Sequence, residues 1–105
     1  MIQNATTMLE LHVISQKTGT LIGAFAIGDA EEILIGRDAA CDVRISAPSV
    51  SREHCVIEVV EGVHVLRDLD STGGTMLDGE PIEDVRLADG LEVEVGPTIL
   101  RFVDE

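Results

Sequence analysis

Turn-forming residues interrupt this chain so often that no helix-period segment extends beyond about two turns. What lies between the interruptions is short and apolar. Leu9, Leu11 and Val13 alternate with Glu10 and His12, the period of a strand, and His12 falls on the polar phase as a solvated residue. Lys17-Thr18-Gly19 turns the chain. Phe25 to Ile27 is closed by Gly28-Asp29, and Glu31 to Ile35 runs into Gly36-Arg37. Val43 to Ile45 stops at Ala47-Pro48-Ser49, because proline has no ladder donor. Cys55 to Val60 reads as a buried strand and Glu61-Gly62 as a hairpin turn. Val63 and Val65 then alternate with His64, which places His64 on the exposed phase. Asp78-Gly79 between Met76-Leu77 and Glu80 to Ile82 is the strongest hairpin signal. Leu91 to Val95 and Thr98 to Val103 flank Gly96-Pro97 as the last pair. Roughly nine to eleven short strands with no substantial helix predict an all-β fold, an antiparallel two-sheet β-sandwich.

The chain's 105 residues make one domain, with a flexible N-terminal tail expected over 1–7 and the sandwich over 8–105. Phe25 and Phe102 are its only aromatic residues, so the core rests on Val, Ile and Leu, and stacking platforms for single-stranded nucleic acid are missing. Seven Lys and Arg against twenty Asp and Glu give a net charge of -13. That balance argues against duplex nucleic acid and against an anionic membrane surface. Cys41 and Cys55 form no Cys-x-x-Cys; their pairing is left open by spacing, and Cys55 is expected to be a small buried hydrophobe. With no signal peptide and no apolar run near the ~20 residues of a membrane span, a reduced cytoplasmic protein is expected.

Three polar segments carry the chemistry. They are Gly36-Arg37, then Ser51-Arg52-Glu53-His54, then Asp68-Leu69-Asp70-Ser71-Thr72-Gly73-Gly74-Thr75. Each falls between apolar runs and so reads as a loop. Arginine offers a bidentate donor fork, and hydroxyls with exposed N–H groups complete a ring suited to phosphate. Enzyme readings find little support. Ser51 and His54 lie three apart in one loop with no nucleophile elbow, and no Gly-x-x-x-x-Gly-Lys phosphate loop is present. Cys41, Cys55 and His54 lack a fourth ligand and the paired spacing of a zinc site, so no metal or other cofactor is expected.

In this order the segments resemble the forkhead-associated (FHA) family, whose motif is Gly-Arg, Ser-x-x-His, Ser-x-Asn-Gly-Thr and often Asn-Gly; Asp78-Gly79 stands for the last pair. The resemblance implies a non-catalytic β-sandwich whose loops bind phosphothreonine peptides. Carried onto this chain, it assigns the phosphopeptide to Arg37, Ser51, Arg52, Thr72 and Gly73. It assigns structural roles to Gly36, which turns the backbone, to His54, which holds Ser51, and to Gly74 and Thr75, which shape the second loop. The implied partner is a phosphothreonine protein or peptide, such as an autophosphorylated Ser/Thr kinase or its substrate. Gly73 departs from the family's asparagine, which ties down the ligand's main chain. The alternative is therefore a degenerate domain acting as a phosphate-independent scaffold.

Overall fold

The computed structural model describes residues 9–104, so the expected tail over 1–7 lies outside the described residues. Eleven strands follow in order: β1 (Leu9–Ser15), β2 (Leu21–Ala26), β3 (Glu32–Gly36), β4 (Val43–Arg44), β5 (Cys55–Val60), β6 (Val63–Asp68), β7 (Thr75–Leu77), β8 (Glu80–Pro81), β9 (Asp84–Arg86), β10 (Glu92–Val95) and β11 (Thr98–Asp104). Two sheets form, one ordered β2-β1-β11-β10-β7-β8 and the other β4-β3-β5-β6-β9. The all-β two-sheet expectation is met, with one difference. β3 and β4 pair in parallel, so the second sheet is mixed. A parallel pair ordinarily needs a long crossover. Here the ladder is only Ile35↔Val43 and Gly36↔Arg44, short enough for a compact turn in which Cys41 N–H donates to the Asp38 carbonyl at 3.0 Å.

Alternation along each strand decides what enters the core. Leu11, Leu100, Phe102, Val93 and Val95 come from the first sheet and meet Ile35, Ile57 and Leu66 of the second, all fully buried. Phe102 is the large filler that the aliphatic set lacks elsewhere. Cys55 is also fully buried and unpaired, and burial pushes its thiol up to about 12. It packs as a small apolar side chain. Cys41 is likewise free and buried.

Two readings of strand phase need correction. Leu66 points into the core, so by period 2 His64 shares its side of β6, while Val63 and Val65 take the other. His64 is half-buried and bonds the Ala30 carbonyl through Nε2 at 3.1 Å, rather than standing in solvent. The apolar alternation misled because the valines lie on the outer face. Cys55 to Val60 is a strand as expected, but Val59 and Val60 are 39% and 47% exposed. β3 pairs with β5 only as far as Glu32↔Glu58, so the end of β5 projects beyond its cover on that side. His12 lies half-buried against Glu10 at 2.9 Å. β9 has one apolar residue, Val85, and gave no sequence signal; its pairing with β6 creates it.

Both hairpin signals close with two left-handed residues, Glu61 (φ 50°) with Gly62 (φ 80°) and Asp78 (φ 52°) with Gly79 (φ 83°). This is the pattern of the turn that matches strand twist. Glutamate is poorly suited to the first of these positions, whereas asparagine tolerates it. Glu61→Asn is expected to stabilise the protein by about 0.5–1 kcal/mol in urea denaturation, with the slope unchanged.

Candidate functional site

The three polar segments emerge at one end of the sandwich because they follow β3, precede β5 and join β6 to β7. Arg37 N–H donates to the Ser51 carbonyl at 3.0 Å, and Asp38 N–H to the Arg52 carbonyl at 3.1 Å. These bonds lay the first segment along the second. The contact is so close that a Cβ on Gly36 would fall within the Arg52 carbonyl and 3.0 Å from Glu53 Cα. Gly36 is therefore required by the approach of another backbone. Its φ is not left-handed, so the expected turning role is replaced by a packing one.

His54 binds the second segment to the third. It is fully buried. Its Nδ1 accepts the Ser51 N–H at 3.1 Å, and its Nε2 lies 3.0 Å from the Gly74 carbonyl. With Nδ1 accepting, the ring proton sits on Nε2 and is donated to Gly74. A second tie runs above it, where Thr72 N–H donates to Ser51 Oγ at 3.0 Å.

The third loop is organised around Asp68, to which sequence reasoning gave no role. Its Oδ1 accepts the hydroxyls of Ser71 at 2.6 Å and Thr75 at 2.8 Å, and its Oδ2 accepts the Ser71 N–H at 3.1 Å. Ser71 Oγ in turn accepts the Gly74 N–H at 3.0 Å. The Asp-x-x-Ser spacing is the available signal, since aspartate readily bonds backbone a few residues ahead. Burial alone would raise the carboxyl's pKa. The bonds from Ser71 and Thr75 outweigh it and hold the group below its ordinary 3.8. Gly74 (φ 82°) takes the left-handed turn expected of it, and Thr75 is fully buried beneath.

A cleft of about 310 Å³ opens between the loops, lined by Arg37, Pro48, Ser49, Val50, Ser51, Thr72 and Gly73. The structure thus brings together Arg37, Ser51, Thr72 and Gly73. Arg52 is exposed and does not line the cleft; its carbonyl serves the Gly36 and Asp38 contact instead. Pro48, Ser49 and Val50 were not foreseen. Only the fold shows that the segment before Ser51 forms a wall. Arg37 is half-buried and fixed through Nε to the Val50 carbonyl at 2.9 Å. Among the described residues it makes no ion pair. Its nearby acids are engaged elsewhere: Asp38 Oδ1 accepts the Ala40 N–H and Asp42 Oδ2 the Leu34 N–H. The terminal nitrogens of Arg37 are left with no hydrogen bond among the described residues.

Gly73 is exposed and its φ is not left-handed. A Cβ there would meet only the Ser49 carbonyl, at 3.3 Å. The departure from asparagine is thus a missing amide, and the φ here does not demand glycine, although a side chain there would press on the Ser49 carbonyl.

With this geometry in hand, likeness to known proteins becomes decisive. The FHA domain model matches residues 33–96, which contain all three segments. The chain belongs to the FHA-domain family. It is 34% identical over 94 residues to mouse proliferation marker protein Ki-67, covering 89% of this chain and 3% of that protein. It is 30% identical over 87 residues to the glycogen accumulation regulator GarA of Mycolicibacterium smegmatis, covering 83% of this chain and 55% of GarA. The chain therefore spans only part of these relatives. A solved FHA structure from a study of phosphothreonine-dependent FHA domain interactions superposes with a TM-score of 0.76 at 26% identity, covering 93% of this chain and 96% of that one. No helix among the described residues is long and apolar enough to cross a membrane, and no cluster of three His, Cys, Asp or Glu among them could hold a metal.

The Asp68 network has a pH signature. Its folded pKa is lowered, so the stability it contributes is complete above the ordinary carboxyl value of 3.8 and is lost as pH falls through the lower folded value. Melting temperature followed downward from pH 5 is expected to drop for the wild type. In Asp68→Asn it should start lower and fall less steeply over that window.

Proposed function

We propose that this FHA domain is a non-catalytic module that binds phosphothreonine segments of a partner protein, such as an autophosphorylated Ser/Thr kinase or its substrate. The observation that carries the reading is Arg37. In a chain with twenty carboxylates and seven Lys and Arg, it projects into a cleft with its terminal nitrogens unpaired among the described residues. An anchored guanidinium without a carboxylate is a donor fork awaiting an anion. Phosphothreonine-dependent interactions of a structural relative support the choice of anion.

In this reading Arg37 takes phosphate oxygens bidentately and Ser51 donates its hydroxyl, which its bond from Thr72 N–H leaves free to do so. Thr72 lies beside the phosphate and the ligand methyl. Arg52, exposed next to the cleft, adds a second cation by swinging inward. Gly73 faces the ligand main chain. The net charge of -13 opposes approach of a dianion, but charges beyond a Debye length of ~8 Å are largely screened, and contact donors dominate locally. Modest affinity, around micromolar or weaker, is expected, corresponding to about -8 kcal/mol or less favourable.

Titration of a phosphothreonine peptide library and its unphosphorylated twin tests the reading. Binding is expected only with phosphate, and Arg37→Ala should remove it with melting temperature nearly unchanged. Equal binding of both peptides would instead favour the scaffold reading that Gly73 motivates.

The same titration with Gly73→Asn tests the departure. The backbone there accepts an L-residue, and the Ser49 carbonyl must yield only a few tenths of an ångström. A restored amide should tighten phosphothreonine binding about three- to tenfold, on the order of 1 kcal/mol. Weaker binding would show that the added side chain obstructs the cleft.

A further inference from the structure

Among the described residues the sandwich has four sheet edges, and three of them are blunted. β8 is two residues, Glu80 and Pro81; β4 is two residues ending in Arg44; β9 carries Asp84 and Arg86. Short length, charge and proline are the usual protections against unwanted strand pairing. β2 has none of them. Its six residues, Leu21-Ile22-Gly23-Ala24-Phe25-Ala26, include none of the chain's twenty carboxylates or seven cations. Leu21 is 53% exposed, Ile22 62% and Phe25 37%. Phe25 is the one aromatic residue outside the core, and its ring lies along the strand over Gly23, where a Cβ would meet it at 3.1 Å.

The free edge has a defined register. Ile27 N–H donates to the Leu9 carbonyl at 3.0 Å, and β2 pairs as Ala26↔Glu10, Phe25↔Leu11 and Ala24↔His12. Antiparallel alternation then aims the backbone groups of Phe25 and Ile27 at β1, and those of Ala24 and Ala26 away from it. A register shift opposite Val13 and Ile14 ends the regular edge near Ile22. The outward groups are therefore symmetric about Phe25. If two copies meet edge to edge, Ala24 faces Ala26 of the other copy and Ala26 faces its Ala24, each pair exchanging two hydrogen bonds. The two Phe25 side chains then lie side by side as the closer, non-hydrogen-bonded pair. Self-complementarity of this kind is what a two-fold interface requires. Small alanines flank the contact, and no charged residue of β2 opposes a like charge.

We propose that β2 is a homodimerisation edge, pairing antiparallel with β2 of a second copy about a two-fold axis at Phe25. The pairing joins the two six-stranded sheets into one. Because β2 begins at the end that carries the clefts and pairs antiparallel, the dimer presents its two clefts in opposite directions. The contact rests on Phe25, its flanking alanines and the strand backbone of each copy, and so buries less than the roughly 1,000 Å² of a stable specific interface, which sets a weak dimer. A reversible dimer is expected, strengthened by salt because each copy carries -13.

Sedimentation velocity of the chain from roughly 10 μM to 1 mM, at low and high salt, covers the range of such an interface. The expected result is a monomer–dimer equilibrium that shifts to dimer with salt. Phe25→Glu and Ala24→Lys should each weaken it at least about tenfold with melting temperature retained, as expected for substitutions at a central contact. Phe25→Cys should form a 25–25 disulfide on mild oxidation, because the paired Cα atoms would stand about 4.5 Å apart. A wild type monomeric throughout, a dimer indifferent to both charged variants, or a dimer whose Phe25→Cys form does not cross-link would each overturn the proposal.

Discussion

The loop end of this protein that carries the cleft depends on one buried imidazole. His54 accepts a backbone proton from Ser51 and donates one to Gly74, so a single ring sets the spacing of two loops that are 20 residues apart in sequence. The ring itself is fully buried, so a nitrogen left without its partner would cost desolvation that water could not repay. The arrangement works in only one tautomer. Asp68 organises the third loop from within, collecting two hydroxyls and an N–H. Between them, the two residues convert flexible, glycine-rich segments into a shaped rim before any ligand arrives.

Rigidity is confined to the base of the site, and reactivity is left at its surface. Arg37 spends only its Nε on the scaffold. Its terminal nitrogens make no hydrogen bond among the described residues, while Asp38 and Asp42 each accept a backbone N–H. Arg44, Arg52 and Arg86 also make no ion pair among the described residues; of these arginines, only Arg37 lines the cleft.

The edges of the sheets tell a parallel story. Where strands end the sheets with one or two charges or a proline, nothing further is asked of them. β2 keeps an uncharged apolar edge, and in the proposed dimer a second copy pairs with its outward backbone groups.

Much of this was legible in the chain itself. Spacing of Gly36-Arg37, Ser51 to His54 and Ser71 to Thr75 identified the loops, and turn residues such as Asp78-Gly79 delimited strands, because backbone conformations with positive φ admit few residue types. The phase of β6 was not legible: three apolar residues lie in it, and only packing against the other sheet decides that Leu66 enters the core and takes His64 with it. Nor could local sequence show that Gly36 is glycine for the sake of the Arg52 carbonyl, that Arg52 stands outside the cleft, or that Asp68 anchors a loop. Those facts are distances between segments far apart in the chain. The sequence by itself determined the strands, the turns and the chemistry on offer; the tertiary structure decided which groups meet, because hydrogen bonds and van der Waals exclusion act through space over a few ångströms and take no account of separation along the chain.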